Sequence, residues 1–283
     1  TRDIASNVVE TNLTKNLVLA TGGIPSIPKG IVMPREGKVF HTHEFVQRMT
    51  QDFPTKNDKR RFIVVGSGQS GAELFYHLLT NYPNADVTAA IRRFAYKPVD
   101  DSDFTNEIFF PRMVDLLHSL SDEKRALFFE ACRDVNYAVV DAPLIHKIYK
   151  TLYQEKVIGR DRARIRSFMQ LRAASETDSG VVATFDDLLN DMPVHLEADA
   201  LILATGYTWH KKHPLLEGLA PYLVETSCGR YKVERDYRLA SKPSFLPKIY
   251  VQGFAEDTHG ASETVLSLLA VRAMDILNSL RRA

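Results

Sequence analysis

Phe62-Ile-Val-Val-Gly-Ser-Gly-Gln-Ser-Gly71 decides the fold of this 283-residue chain. Four apolar or β-branched residues lead into Gly66-x-Gly68-x-x-Gly71, and an apolar pattern of helical period follows over residues 72–79. A strand, a tight glycine turn and a helix start in this order place a pyrophosphate on the helix N-terminus. The first glycine permits the turn, the second lets backbone amides approach the phosphates, and the third lets helix and strand pack closely. A lone motif of this kind is weak, but its context predicts a dinucleotide-binding β-α-β unit rather than a structural glycine turn.

The next predicted strand indicates which nucleotide this unit prefers. Asp86-Val-Thr-Ala-Ala-Ile91 reads as the second strand, and it ends in Arg92-Arg93 without an acidic residue. An NAD site usually carries an acid about 20 residues past the glycines to hold the ribose 2′-hydroxyl. A guanidinium instead suits a 2′-phosphate, because it offers bidentate, charge-assisted hydrogen bonds. The pattern favours NADPH over NADH; the alternative is a pair of solvated surface arginines.

Two further apolar segments of similar design flank this unit. Asn16-Leu-Val-Leu-Ala-Thr-Gly-Gly23 and Ala198-Asp-Ala-Leu-Ile-Leu-Ala-Thr-Gly-Tyr207 each predict a buried strand that ends in Ala-Thr-Gly. Glycine at a strand end lets backbone pass close to a bound cofactor. The Pro-rich segment 24–30 predicts one crossing between domains, and a second crossing is expected near 193–200.

The remaining periodic segments predict further helices and strands. We expect Ser262 to cap a long C-terminal helix and Glu263 to lie in its first turn. The predicted helices are 112–120, 122–133, 143–153 and 262–280, and the predicted strands are 164–173, 180–185 and 248–253.

Bulk composition excludes several classes of protein. The formal net charge is +1, and no basic run supports a nucleic-acid partner. No apolar stretch approaches the ~20 residues that span a bilayer, and no signal peptide is visible. Cys132 and Cys228 form no C-x-x-C pair, which indicates a reducing, cytoplasmic setting. His41 and His43 have no further metal ligands near them in sequence, so we expect no metal site.

Five ordered motifs carry a resemblance over nearly the whole chain. The segment Asp100-Asp-Ser-Asp-Phe-Thr-Asn-Glu-Ile-Phe-Phe-Pro111 is the most specific of them; the others are Gly66-Ser-Gly-Gln-Ser70, Asn136-Tyr137, Ala204-Thr-Gly-Tyr207 and His259-Gly-Ala-Ser-Glu-Thr-Val-Leu-Ser267. Together they resemble the flavin-dependent L-ornithine N5 / L-lysine N6 monooxygenases of siderophore biosynthesis. The resemblance implies an α/β fold with two nested Rossmann-like dinucleotide-binding domains. Residues 1–30 and 198–283 would form the remainder of an incomplete FAD-binding domain, and residues 31–197 the NADPH-binding domain.

The resemblance also implies an activity. NADPH would reduce FAD, and the reduced flavin with O2 would hydroxylate the side-chain amine of L-ornithine or L-lysine, in a cytoplasmic homo-oligomer without membrane or nucleic-acid partners. The family opens with its own FAD glycine motif and a substrate-binding lysine, and neither occurs in this chain. We therefore expect a preceding segment to be missing, in which case the chain alone would bind NADPH without hydroxylating an amine.

Functional residues follow from matching positions in the motifs. Asn136 and Tyr137 would be catalytic, since they would position the nicotinamide near the flavin. The implied NADPH-binding residues are Gly66, Ser67, Gly68, Gln69, Ser70, Gly71, Arg92, Asn136, Tyr137 and Ala138. The implied FAD-binding residues are Thr264, Val265 and Leu266. The implied substrate-binding residues are Asn106, Glu107, Ile108, Phe109 and Ser267, and an amide such as that of Asn106 can both donate to a carboxylate and accept from an ammonium.

Several alternatives remain open on the sequence. Putrescine or cadaverine could replace the amino acid as substrate, because one methylene is worth only about 1–3 kcal/mol of discrimination. Another NADPH/FAD monooxygenase is possible, since Gly37-x-x-x-His41-x-x-x-Phe45 is similar to the tail of the Baeyer-Villiger fingerprint; its leading aromatic, however, would fall on Arg35. A non-catalytic NADPH-binding module is the third alternative. Asn106 could also be a turn residue, Asn136 a polar group at a helix end, and His259 an ordinary loop histidine.

Overall fold

The structure is a computed structural model that describes residues 2–3, 5–34 and 37–282. Arg35, on which the Baeyer-Villiger comparison depends, lies outside these residues. The strands are β1 (Asn16–Leu19), β2 (Ile24–Pro25), β3 (Val39–His41), β4 (Arg61–Val65), β5 (Asp86–Ala90), β6 (Ala163–Arg166), β7 (Met169–Thr177), β8 (Gly180–Asp187), β9 (Met192–Ala198), β10 (Ala200–Leu203), β11 (Tyr207–Thr208) and β12 (Lys248–Val251). The helices are α1 (Phe45–Asp52), α2 (Gln69–Asn81), α3 (Arg112–Ser119), α4 (Asp122–Ala131), α5 (Ala142–Val157), α6 (Glu256–His259) and α7 (Leu269–Arg281).

The chain forms two compact units that are nested in sequence. Residues 25–102 and 132–208 form one, here called the glycine-turn unit. Residues 1–24, 103–131 and 209–283 form the other, the terminal unit. The first crossing falls within the Pro-rich segment, where the sequence predicts it.

The compact units divide the chain differently from the predicted domains in two places. The second crossing lies between Thr208 and Trp209, because β9 and β10 are consecutive strands inside the glycine-turn unit and leave no linker near 193–200. Residues 103–131 also join the terminal unit, where α3 packs against α6. The predicted domains have the chain leave and re-enter the terminal unit once, whereas it does so twice.

A parallel five-stranded sheet organises the glycine-turn unit. Its strand order is β3-β10-β4-β5-β6, and β4 lies between β10 and β5. Parallel strands are buried on both faces, which explains why β4 and β10 are continuous apolar runs. The α/β prediction is confirmed by this parallel sheet and the helices that pack on it.

Two hydrophobic clusters cover the two faces of this sheet. On one face Phe62, Val64 and Ile202 pack with Phe75 and Leu78 of α2. On the other face the side chains of the alternate residues pack with the antiparallel sheet β7-β8-β9; this cluster includes Ile63, Val65, Leu201, Leu203, Leu171, Val181 and Phe185. The alternation along each strand follows from the two-residue period of β-structure.

The terminal unit has a smaller sheet. β1 pairs in parallel with β12 over four residue pairs, from Asn16 with Lys248 to Leu19 with Val251. Its core combines these strands with irregular segments and α7; the members include Leu216, Leu223, Tyr231, Tyr237, Leu239, Tyr250 and Ile276. Apolar side chains on β1 stay partly uncovered, since Leu17 and Val18 are 38% and 42% exposed.

Two predicted elements are wrong. The helix predicted from Ser262 begins only at Leu269, and short 3-10 turns, Ala261–Glu263 and Leu266–Leu268, precede it. Ser262 caps no helix: its hydroxyl donates to the carbonyl of His259 at 3.1 Å. The strand predicted over 164–173 is two strands, β6 and β7, in different sheets, because Phe168 turns the chain with φ of 58°.

The other predicted helices and strands are present, with boundaries shifted by a few residues. In the part of the chain that the structure describes, no helix combines the length and the apolar character needed to cross a membrane.

Candidate functional site: a dinucleotide cavity

A cavity of about 550 Å³ opens at the carboxyl ends of the central strands of the glycine-turn unit. β4, β5 and β10 end beside it, at the carboxyl edge of an open parallel sheet, which is where α/β sheets bind ligands. The residues that line it are Ser26, Pro28, Lys29, Val65, Gly66, Ser67, Gly68, Gln69, Ser70, Ala90, Arg92, Asn136, Ala138, Val139, Gln170, Leu171, Ala204, Thr205 and Gly206. The cavity thus gathers the glycine turn, Arg92, Asn136 and Ala138, which the sequence predicts as parts of one site.

Each glycine of the turn lies close to other backbone atoms, which a Cβ at that position would meet. Gly66 has φ of 146°, and a Cβ there would overlap the carbonyl oxygen of Ala204. A Cβ on Gly68 would lie 3.4 Å from the Cα of Ala138. Gly71 is buried in α2, where a Cβ would lie 2.5 Å from the carbonyl oxygen of Gly66. The first and third glycines therefore shape the turn, whereas the second keeps the floor of the cavity open.

The start of α2 supplies the donors for an anion. Its N-cap is Gly68, which has no side chain to occupy the first backbone N–H groups. The helix dipole adds a partial positive charge at the same end. Ser67 and Ser70, which line the cavity beside this terminus, add hydroxyl donors. This arrangement fits a pyrophosphate.

The two arginines after β5 have different roles. Arg92 lines the cavity, is exposed, and has no hydrogen-bonding or ionic partner among the described residues. Arg93 instead donates to the backbone carbonyl of Ala138 at 3.2 Å. The interpretation of both as solvated surface arginines therefore fails for Arg93, and Arg92 is placed where a guanidinium can meet a nucleotide phosphate.

The segment 136–138 arches over the glycine turn. It lies between the buried Val135 and Val139, while Asn136 and Ala138 themselves are exposed and line the cavity. Ala138 adopts a left-handed backbone with φ of 54°, which non-glycine residues rarely do. Tyr137 is 40% exposed and does not line the cavity. The structure thus brings Asn136 and Ala138 to the dinucleotide site and leaves Tyr137 outside it.

Some lining residues were missed by the sequence analysis. Lys29 follows the Pro-rich segment, and its position next to Pro28 and Gly30 was the only local signal. Gln170 and Thr205 come from β7 and from the turn after β10. Their approach to the cavity depends on strand pairing that no local pattern reveals.

His41 is fully buried and acts structurally in the glycine-turn unit. Its Nε2 lies 2.9 Å from the carbonyl oxygen of Gly206, and its ring meets that of Tyr207 edge-on. Burial lowers the pKa of the His41 imidazole, against the opposing effect of the Gly206 carbonyl. Across the described residues, no group of three or more His, Cys, Asp or Glu side chains could hold a metal ion.

In the terminal unit, four of the five predicted substrate residues lie on one 3-10 turn, Thr105–Phe109, and the fifth, Ser267, lies in the turn Leu266–Leu268. Ile108 is buried, and Glu107 forms an ion pair with Arg112 at the start of α3. This turn contacts the turn Ala261–Glu263, which directly precedes the predicted FAD-binding residues. The two motifs, far apart in sequence, are therefore neighbours in this unit.

The predicted FAD-binding residues form an irregular connection between short turns. Thr264 donates to the carbonyl oxygen of Ala261 at 3.1 Å, and Val265 is extended with ψ of 136°. Leu266 is 84% exposed, and Ser267 is also exposed. The expectation that they stand at the N-terminus of a long helix is wrong, since α7 begins after them.

A buried ion pair explains why the long helix does not form. Glu263 is fully buried; its Oε1 accepts from the backbone N–H groups of Gly253 and Phe254, the latter at 3.2 Å. Its Oε2 lies 3.5 Å from Nη1 of Arg272, which is 6% exposed. A solvent-facing first-turn acid, as predicted, could not make these bonds. Glu263 therefore ties the end of β12 to α7.

Two more ionisable groups in the same segment have shifted pKa values. His259 is fully buried against Tyr237, with ring centroids 4.4 Å apart, and burial lowers the pKa of its imidazole to about 4. It is not an ordinary loop histidine. Partial burial, with Glu263 and Asp257 adding to it, raises the pKa of the Glu256 carboxyl to about 7. The segment that follows β12 thus combines a buried ion pair with ionisable groups whose charged forms are disfavoured.

The fold is that of an α/β protein with a Rossmann-like unit, and its cavity lies where such units bind their ligands. The family model described as L-lysine 6-monooxygenase/L-ornithine 5-monooxygenase matches residues 1–209, and the chain belongs to that family. The resemblance predicted from the motifs is confirmed.

Similar proteins of known activity agree with this assignment. An L-ornithine N(5)-monooxygenase from Pseudomonas aeruginosa is 36% identical over 268 residues, covering 94% of this chain and 59% of its own length. The ornithine N-hydroxylase of Kutzneria sp. 744, solved with reduced FAD, NADP+ and L-ornithine, matches with a TM-score of 0.89 at 33% identity, over 94% of this chain and 63% of its own. The L-lysine 6-monooxygenase of Pseudomonas syringae matches with a TM-score of 0.82 at 32% identity, over 95% and 64%. The chain therefore spans about three fifths of the length of these relatives.

Proposed function

We propose that the protein to which this chain belongs is an FAD- and NADPH-dependent N-hydroxylase of the side-chain amine of L-ornithine, acting with O2 in the biosynthesis of hydroxamate siderophores. The observation that carries the proposal is the cavity of the glycine-turn unit, in a chain that belongs to the lysine/ornithine monooxygenase family. The cavity supports the NADPH part, and the family supports the chemistry.

The donor set of the cavity fits NADPH. The uncapped start of α2 with Ser67 and Ser70 suits the pyrophosphate, and Arg92 suits the 2′-phosphate. Asn136 would hydrogen-bond the nucleotide through its amide, which both donates and accepts. In this chain these groups would bind and orient the cofactor.

The terminal unit has features that fit FAD. Leu266 presents an exposed apolar side chain of the kind that packs against an aromatic ring system, and Thr264 and Val265 lie beside it. When bound, the flavin would supply electron transfer from NADPH and the reaction with O2. The role of this chain would be to hold the flavin and to keep water away from it.

The substrate is proposed from two lines of support. The turn Thr105–Phe109, which carries Asn106, contacts the turn Ala261–Glu263 that precedes the predicted FAD-binding residues. Ornithine is the substrate named for the Kutzneria and P. aeruginosa proteins, which supports it as first choice. Lysine stands second because of the P. syringae enzyme, and diamines such as cadaverine or putrescine third. For amine attack the substrate nitrogen must be neutral, which a desolvating site would favour.

The activity is tested by supplying the chain with FAD, NADPH and candidate amines. We expect the protein to consume NADPH and form a hydroxylamine from ornithine, with slower turnover of lysine and cadaverine. Stoichiometric hydroxylamine on another amine would reassign the substrate. NADPH oxidation that yields only peroxide with every amine would contradict N-hydroxylation.

A second candidate function is binding of NADPH without hydroxylation by the 283-residue chain alone. Its support is that the NADPH donors lie within the glycine-turn unit, whereas the features that fit FAD lie in the terminal unit. FAD content after purification separates the two readings. A homo-oligomer in the cytoplasm remains part of the proposal, and sedimentation of the native protein tests the oligomeric state.

A further inference from the structure

We infer that Gln69 and Asp141 form a positioning clasp that holds the segment 136–138 over the dinucleotide cavity. This inference rests on the proposed binding of NADPH in that cavity. It concerns Asp141, a residue that does not line the cavity and that acts through Gln69.

The clasp consists of two hydrogen bonds between the same two residues. Nε2 of Gln69 donates to Oδ2 of Asp141 at 3.0 Å, and Oε1 of Gln69 accepts from the backbone N–H of Asp141 at 2.9 Å. Nε2 also donates to Oε1 of Glu73 at 2.9 Å. These partners fix the orientation of the Gln69 amide. If the amide were flipped, its oxygen would face the carboxylate oxygens of Asp141 and Glu73, and its NH2 group would face the N–H of Asp141.

Asp141 is in an unusual situation for a residue that precedes a helix. It is the N-cap of α5, a position where an aspartate normally accepts from the first-turn N–H groups. Its side chain makes no such bond, although its backbone is in place to do so. The carboxylate has been diverted from stabilising its own helix to holding Gln69.

The side chain of Gln69 is correspondingly committed. Both amide hydrogens are used, so the side chain has no donor left for a phosphate. The contact of Gln69 with a pyrophosphate would therefore be made by its backbone N–H at the start of α2. Its amide instead joins the glycine-turn helix to the end of the segment 136–138.

The geometry of the segment needs such a restraint. Ala138 holds a left-handed conformation, which costs roughly 1–3 kcal/mol unless the surroundings enforce it. Gly68 lies close to the Cα of Ala138, and Arg93 donates to the carbonyl oxygen of Ala138. The clasp holds the chain three residues further on, at Asp141. With the carboxyl end of the segment held in this way, Asn136 is kept at the cavity before the cofactor arrives, and less ordering entropy is lost on binding.

The experiment compares NADP+ binding by calorimetry in the 283-residue chain and five variants. Asp141→Ala should weaken NADP+ about fivefold, the effect of one hydrogen bond. Asp141→Asn should stay within twofold of the wild type, because its Oδ1 can still accept from Gln69. Gln69→Leu combined with Asp141→Ala should be no weaker than Gln69→Leu alone, since the two residues act as one unit. Glu73→Ala is the matched control: it removes the other bond of the same donor and should leave affinity within twofold.

Hydrogen exchange supplies a readout that a general loss of structure would not give. In Asp141→Ala the amides of residues 136–140 should exchange faster, while those of α5 keep their rates, since the Asp141 side chain makes no capping hydrogen bond to that helix. Equal losses in Asp141→Ala and Asp141→Asn, or an unchanged affinity in Asp141→Ala, would overturn the clasp alone. A wild-type chain that does not bind NADP+ would overturn the proposed function and the clasp with it.

Discussion

The two units of this protein place their polar side chains differently. In the glycine-turn unit the central strands are continuous apolar runs, and the polar groups of the site stand at the strand ends. In the terminal unit the polar groups lie inside: Glu263, His259 and Arg272 are all buried around the segment that follows β12. The first unit is built from repeated local patterns, and the second depends on specific long-range partners.

This difference has consequences for how each unit responds to mutation. Apolar packing tolerates many volume-conserving changes, whereas a buried charge whose partner is removed is left uncompensated. The glycine-turn unit should therefore be sensitive at its backbone turns, and the terminal unit at its buried polar side chains.

The largest effect is expected from Arg272→Ala in the terminal unit. It leaves the carboxylate of Glu263 buried without its ionic partner, which should cost about 3–5 kcal/mol of the free energy of unfolding. Urea denaturation followed by tryptophan fluorescence measures the loss. Arg281→Ala, on the exposed end of the same helix, is the control and should change stability by less than about 0.5 kcal/mol. Equal losses of stability in the two variants would contradict the argument that the buried ion pair stabilises the terminal unit.

Gly66→Ala is expected to have the next largest effect, in the glycine-turn unit. The added Cβ overlaps the carbonyl oxygen of Ala204 and the backbone has φ of 146°, so about 3 kcal/mol should be lost. Gly159→Ala is the matched control, with φ of 73° and no atom within 4 Å of the new Cβ, and should cost about 1 kcal/mol. Thermal unfolding of both variants ranks them; a smaller loss for Gly66→Ala would refute the steric argument.

Arg92→Ala tests the site rather than the fold. We expect it to weaken NADPH roughly thirtyfold, equivalent to about 2 kcal/mol for a lost charge-assisted hydrogen bond. NADH, which lacks the 2′-phosphate, should lose less than about threefold. Titration of both nucleotides by fluorescence gives the ratio. Parallel losses for the two would mean that Arg92 contributes only general positive charge.

The smallest effect is a change in the pH dependence of stability. The folded state disfavours protonated His259, whose pKa is near 4 when folded. The contribution of His259 to the free energy of unfolding is therefore full above its unfolded pKa of 6.5 and falls as pH drops from 6.5 towards 4. Glu256, with its folded pKa near 7, takes up a proton on folding, so its contribution is full below 4.5 and falls as pH rises towards 7. The two slopes oppose each other between about pH 4.5 and 6.5.

Replacing one residue of this pair should expose the slope of the other. In Glu256→Gln the stability should drop more steeply on acidification than in the wild type, by up to about 1 kcal/mol per pH unit. In His259→Gln the change of slope should have the opposite sign. Urea midpoints at half-unit intervals of pH measure both. Slopes that change in the same direction would contradict the opposing titrations.

The sequence predicted the glycine-turn unit better than the terminal unit, because the first is built from local patterns and the second from specific partners. The cavity of the glycine-turn unit gathers most of the residues that the sequence grouped together, because the turn, Arg92 and the strand ends are local patterns that a parallel sheet brings to one edge. The exceptions include Gln170 and Thr205, which reach the cavity through strand pairing that no local pattern reveals. In the terminal unit the helix expected from Ser262 was wrong, because a buried Glu263 bonded to the β12 turn outweighs a favourable N-terminal pattern.

The sequence by itself determined the β-α-β unit and its cofactor class, since strand, glycine turn and helix are specified by neighbouring residues. Through its motifs it also indicated the family. Tertiary structure decided three other features: the second excursion of residues 103–131 into the terminal unit, the burial of Glu263 with Arg272, and the clasp between Gln69 and Asp141. The first and third of these join residues that are distant in the chain, and the second joins residues nine positions apart across an irregular connection. The energy of such contacts depends on which surfaces meet after folding, and no local propensity encodes that.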